Sequence, residues 1–205
     1  MRVGIYIDRM DLKGGAQRVV SNLCHGWSRR GWHVTLIVAS GEGQAFDLPP
    51  SVERRVLAGA HKRRGLLGAW DNVWHVLRLR RAVREARLDA VLAVSVVANV
   101  QLALASPSRR VVKVGSEHDV PGFLRLPFHK EIFRRILYPR LDAVVCPTQA
   151  AARHIARTYP GTRTLGVPNW LTWPLPASSG ETGAASLRRP GRKLFLACGR
   201  LDKMK

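Results

Sequence analysis

MRVGIYIDRMDLKGGAQRVVSNLCHGWSRRGWHVTLIVAS, residues 1–40, decides the fold. Arg2 to Ile7 is an apolar run rich in branched residues and reads as a strand. Asp8 to Lys13 is a polar turn ending at the pair Gly14–Gly15. Ala16 to Arg30 places Val19, Val20, Leu23 and Trp27 at helical spacing, Gly31 stops that helix, and His33 to Ala39 is a second buried run. Strand, glycine turn, helix and strand make a βαβ unit, with a right-handed connection expected. Glycines just ahead of a helix let a ligand approach the backbone, and the free N–H groups of the first turn attract anions. Taken alone the pair reads as a plain turn, because it matches neither G-x-G-x-x-G nor a P-loop lysine motif.

The same alternation continues. Strands are expected at Val52–Leu57, Asp89–Val97, Arg110–Ser116, Asp142–Cys146 and Arg163–Val167. Helices are expected from about Leu66 to Leu88, at Asn99–Ala105, at Phe128–Tyr138 and at Gln149–Tyr159. In the Phe128 helix, Ile132, Phe133, Ile136 and Leu137 are read as one apolar face, with Arg134 and Arg135 opposite. Together these elements predict a doubly wound, Rossmann-like α/β layer around a parallel sheet. Its domain runs over residues 1–170. Residues 171–192, with prolines 174, 176 and 190 and a Ser/Gly/Ala/Thr cluster, read as a linker or exposed loop. Residues 193–205 open a new apolar strand, KLFLAC, which reads as the first strand of a truncated second domain.

A formal charge of +20 over 205 residues implies attraction to a polyanion: nucleic acid, anionic lipid or a phosphorylated substrate. Trp70 and Trp74 sit one turn apart beside Arg78, Arg80, Arg81, Arg84 and Arg87. One reading packs the tryptophans on the sheet and leaves the arginines solvated. The other makes Trp70, Trp74, Arg78 and Arg81 contacts to an anionic membrane surface. Cys24, Cys146 and Cys198 are odd in number, lack metal-ligand spacing and read as buried thiols in a reducing compartment. Met1 leads straight into a strand, so no signal peptide is expected and a cytoplasmic location is, either free or peripheral on the inner face of the membrane.

The string KGGAQRVVSNL…RRGWHVTLIV resembles the first βαβ unit of family 4 glycosyltransferases, the retaining enzymes of GT-B architecture. Four further stretches match: GSEHD at 115–119, VVCPTQAA at 144–151, VPNW at 167–170 and GRLDKMK at 199–205. The resemblance implies that Gly14, Gly15 and Gln17 bind the donor and that His118 is catalytic, orienting the transferred sugar and stabilising charge. It implies that Arg200 and Lys205 neutralise the donor diphosphate, whose leaving group gains negative charge. It further implies a nucleotide-diphosphate-sugar donor, a lipid-linked or polysaccharide acceptor, and neither a metal nor another cofactor. Thr148 and Asn169, on the matching segments, are read first as a helix N-cap and a turn former.

The expected protein is therefore the N-terminal, acceptor-side half of such an enzyme, inactive without its C-terminal domain or a separate C-terminal half. The alternatives are a non-catalytic or regulatory remnant, and a basic polyanion-binding module. No helix-turn-helix, zinc site or aromatic RNA signature supports specific nucleic-acid recognition.

Overall fold

The computed structural model describes residues 1–57, 66–105, 110–118, 128–170 and 193. The chain divides into two units, Met1–Trp170 and Leu171–Lys205. The linker at 171–192 and, Lys193 apart, the strand at 193–198 lie outside the described residues. In the first unit the order is β1 (Arg2–Ile7), α1 (Gly15–Arg29), β2 (His33–Val38), β3 (Glu53–Val56), α2 (Leu66–Glu85) and β4 (Ala90–Val94). It continues with α3 (Val96–Ala105), β5 (Val112–Ser116), α4 (Phe128–Leu137), a 3-10 turn (Tyr138–Arg140), β6 (Ala143–Cys146), α5 (Gln149–Thr158) and β7 (Thr164–Gly166).

All seven strands pair in parallel, in the order β3-β2-β1-β4-β5-β6-β7. Alternate residues of each strand serve the two faces. Val3, Ile5 and Ile7 of β1 pack with Val34, Leu36 and Val38 of β2 and with Val20 and Cys24 of α1. On the other face Tyr6 and Ile37 join Leu79, Ala82 and Val83 of α2 and Leu102 of α3. Burial of each such large side chain contributes about 1.5–3 kcal/mol, so replacing the wholly buried Ile5 by alanine would cost about 2–5 kcal/mol. Gly31 ends α1 in the left-handed region, at φ +75°, where a side chain would be strained. Thr148 caps α5: its Oγ1 accepts the Ala151 N–H at 3.1 Å. Cys24 and Cys146 are buried free thiols, pushed up by burial to about 12 and about 11 respectively.

Three sequence expectations fail. The apolar run from Asp89 does not remain a strand to Val97: β4 stops at Val94 and α3 begins at Val96. Ser95 makes the break, with φ at +103° and its Oγ accepting the Ala98 N–H at 3.4 Å. A continuous apolar run does not itself distinguish strand from buried helix. In α4 the expected faces hold for Leu137, which is buried, and Arg135, which is exposed, but not for the rest. Ile132, Phe133 and Ile136 are exposed, and Arg134 is buried because Glu117 and Glu131 receive its guanidinium. In α2, Trp74 is 59% exposed rather than packed on the sheet.

Candidate functional site

The parallel register aligns Ile7 with Val94 and Val94 with Ser116. Asp8, Ser95 and Glu117 therefore leave the sheet from one row, about 10 Å wide at two strand spacings. Between β1 and β4 the connections turn in opposite directions, which makes this the topological switch point where open α/β sheets bind ligands. The loop carrying Gly14–Gly15 and the strand end carrying His118 open on this same edge.

The loop after β1 is braced from within. Met10 is fully buried, and its carbonyl accepts the Ala45 N–H at 2.8 Å. Arg9 and Asp11 form an ion pair, and the Gln17 amide donates to the Arg9 carbonyl at 3.1 Å. Gln17 also places its Oε1 2.5 Å from where a Cβ on Gly14 would sit. The glycines themselves are not required by backbone conformation. Gly14 is extended (φ −133°, ψ 166°), and Gly15 is the first residue of α1 with nothing within 4 Å of an added Cβ. A turn alone does not account for glycine at either position. What Gly15 provides is open space above the first-turn N–H groups.

The end of β5 is held by a polar network buried between β5, α3 and α4. Asn99, with no solvent exposure, grips the Ser116 peptide from both sides. Its Oδ1 accepts the Ser116 N–H at 3.1 Å, and its Nδ2 donates to the Ser116 carbonyl at 3.3 Å. Only this orientation of the amide satisfies both groups. Gly115 makes room for it, since a Cβ there would lie 3.0 Å from Asn99 Cγ and Oδ1. The Ser116 carbonyl also accepts the Ser95 N–H at 3.1 Å. One residue on, the Glu117 carboxylate, 2% exposed, accepts from Arg134 Nη2 at 3.2 Å and from the Tyr138 hydroxyl at 2.5 Å. Arg134 stacks over the rings of Tyr138 and Tyr159 at 5.2 and 4.7 Å. Its other terminal nitrogen donates to Glu131 at 3.1 Å. Burial alone would lower the Arg134 pKa, but Glu117, Tyr138, Tyr159 and Glu131 together outweigh it and hold it above its ordinary value. Burial and the nearby Glu117 charge push the Tyr138 hydroxyl well up, so it stays protonated and donates.

His118 follows directly. It is partly buried, and its Nε2 lies 3.0 Å from Ser116 Oγ. A second buried polar group lies beneath the β1 end of the row. His75 Nε2 donates to the Tyr6 hydroxyl at 2.8 Å, and that hydroxyl donates to Gln101 Oε1 at 2.5 Å. Burial holds His75 below its ordinary pKa despite the nearby Asp8 charge.

The structure thus brings Gly14, Gly15, Gln17 and His118 to one edge. Arg200, Lys205 and the side chain of Trp70 lie outside the described residues. Trp74, Arg78 and Arg81 are on α2, where Arg78 and Arg81 share a concavity with Arg55 and Glu85. Glu117, Arg134, Tyr138 and Asn99 were not singled out from sequence. The one local signal was Gly115 inside a strand, which marks a close approach of other atoms. Among the described residues no group of three or more His, Cys, Asp or Glu side chains converges to hold a metal.

Comparison with solved structures assigns this architecture. Sucrose-phosphate synthase from Thermosynechococcus elongatus superposes with a TM-score of 0.65 at 11% identity, covering 82% of this chain and 47% of the synthase. HepE from Anabaena, in complex with UDP, gives 0.60 at 19% identity, covering 83% and 44%. The lipopolysaccharide outer core galactosyltransferase WaaB gives 0.57 at 13% identity, covering 77% and 42%. The chain therefore spans less than half the length of these three structures. Its layer has the fold of the Rossmann-like half of a GT-B glycosyltransferase. The family profile described as Glycosyltransferase Family 4 matches residues 13–170, and the chain belongs to that family. No match was found among curated proteins.

Proposed function

We propose that this chain is the N-terminal, acceptor-side half of a retaining glycosyltransferase that moves a sugar from a nucleotide-diphosphate donor to a lipid-linked or polysaccharide acceptor. The observation that carries the reading is the shared row of Ile7, Val94 and Ser116, from which the Gly14–Gly15 loop and His118 open on one edge. The UDP bound to HepE supports a nucleotide-sugar donor. On this reading Gly15 leaves the α1 N-terminus open to the donor, while Gln17 braces the loop. His118 donates to a hydroxyl of the transferred sugar and holds it in orientation as positive charge builds at the anomeric carbon. Arg200 and Lys205, at the start of the donor-binding half, neutralise the departing diphosphate. No metal or other cofactor takes part.

Half a cleft does not position donor against acceptor, and positioning is much of what such an enzyme contributes. The 205-residue chain is accordingly inactive alone and gains activity with a C-terminal half. A lipid-linked acceptor is supported by α2, where exposed Val73, Trp74 and Leu77 lie beside Arg78 and Arg81. That face would rest on the anionic inner surface of the cytoplasmic membrane.

The test is transfer from a panel of labelled nucleotide-sugars by the chain joined to a donor-binding half. Transfer that falls sharply in kcat on His118→Ala is the expected result. An unchanged kcat makes the histidine structural, and turnover by the 205 residues alone refutes the division of labour.

A further inference from the structure

We propose that Asn99 is a positioning residue for His118, acting through the Ser116 peptide; its value to transfer rests on the role given to His118 above. Three observations converge. First, Asn99 is wholly buried, yet its amide bonds the two peptide groups that flank Ser116, through the Ser116 N–H and the Ser116 carbonyl, rather than its own helix. A buried amide is costly unless fully paired, so Ser116 is fixed by a bond that no rotation improves.

Second, the clamp sustains strain. Ser95 holds φ at +103°, a conformation that side-chain-bearing residues rarely adopt. Its N–H goes to the Ser116 carbonyl at 3.1 Å and its carbonyl accepts the Asn99 N–H at 2.9 Å, so Asn99 and Ser116 pin it on both sides. Backbone strain of this kind persists only where the surroundings over-determine it. Here it sits at the switch point, on the register row that His118 leaves.

Third, the fixed residue touches the histidine. Ser116 Oγ meets His118 Nε2 at 3.0 Å, so the hydroxyl and the ring choose each other's donor and acceptor roles. Glu117, between them, faces the other way and is gripped by Arg134 and Tyr138. The Asn99 Nδ2 also reaches the Tyr138 hydroxyl at 3.4 Å, which ties the two grips together. Residues 116 and 117 are thus anchored on opposite faces, and His118 is aimed by both.

The experiment uses the full chain with 15N-labelled histidine, and His118→Gln to assign the signal. Long-range 1H–15N spectra read which ring nitrogen of His118 carries the proton. Asn99→Asp keeps the shape but turns a donor into a second acceptor against the Ser116 carbonyl. It is expected to move the His118 signals and change its tautomer ratio by about twofold or more, although Asn99 does not touch the ring. Ser116→Ala removes only the hydroxyl, so it folds and moves the same signals. Ser95→Gly releases the strain and raises Tm by about 2–4 °C, while His118 becomes conformationally broader.

In the protein joined to its donor-binding half, Asn99→Asp lowers kcat by about 10–100-fold with KM nearly unchanged, as expected for a misplaced group. A folded Asn99→Asp protein with a lower Tm but an unmoved His118 signal overturns the proposal. Should that variant not fold, an unmoved signal in both Ser116→Ala and Ser95→Gly overturns it equally. Signals that move in a protein whose His118→Ala variant still transfers normally support the clamp and refute the transfer role.

Discussion

Arg134 and Glu117 meet at 3.2 Å with side chains only 8% and 3% exposed, so α4 is fastened to the end of β5 by a charge pair out of reach of water. Removing one partner leaves the other buried and uncompensated, which typically costs about 3–5 kcal/mol. Arg134→Met is therefore expected to lower the unfolding free energy by that much in urea. Arg134→Met with Glu117→Leu should recover a large part of the loss. A double variant no better than the sum of its singles would show that the pair is not coupled.

Gly15 should show stability and ligand affinity moving in opposite directions. An added methyl meets nothing within 4 Å and removes a flexible residue from the start of α1. Gly15→Ala is expected to stabilise the chain by about 0.5 kcal/mol. In the complete enzyme Gly15→Val should raise the donor KM with little change in kcat, by occupying the space the donor needs. A donor KM that stays put would leave the open space unexplained.

His75 should give the chain an acid-sensitive component. Its folded pKa lies below the ordinary value of 6.5, so the unfolded state takes up the proton first as pH falls. The stability it confers is fully present above about pH 6.5, since the ordinary value then governs the unfolded chain, and is lost as pH falls toward the lower folded pKa. Urea midpoints for wild type should decline through that window more steeply than those of His75→Leu. Tyr6→Phe, which deletes the hydroxyl bonded to both His75 and Gln101, should destabilise the protein by about 1–3 kcal/mol.

Membrane binding through α2 is tested by flotation. Each basic side chain near an anionic surface contributes about 1 kcal/mol, and salt screens it. The chain should float with anionic vesicles and not neutral ones, less so at high salt and less so with Trp74→Ala or Arg78→Ala/Arg81→Ala. Equal binding to both vesicle types would count against the proposal.

Legibility followed the range of the interactions. The strands around Ile5, Leu36 and Val144 and the stop at Gly31 were readable because burial on both faces and a left-handed cap leave local marks. The cap at Thr148 was readable for the same reason. The end of β4 was not, because the apolar residues on either side of Ser95 suit a buried strand and a buried helix alike. Arg134 was misplaced because its partner lies 17 residues upstream, on an element whose position only the fold supplies. Asn99 is of the same kind: an asparagine in an apolar helix with no local reason to be there. Gly14, Gly15, Gln17 and His118 were named from family resemblance, and the fold brings their segments to one edge.

The central place of β1 has a consequence for synthesis. Arg2–Ile7 is made before both of its neighbours, and β2 can close one side of it once Val38 has emerged. Its other neighbour, β4, ends only at Val94. At about 5–20 residues per second the 56 intervening residues take roughly 3–11 s to make. Throughout that interval the nascent chain presents an apolar strand with one open edge, the feature that most invites wrong pairing. A ribosome-bound chain stopped between Val38 and Val94 is thus the form of this protein most dependent on chaperones.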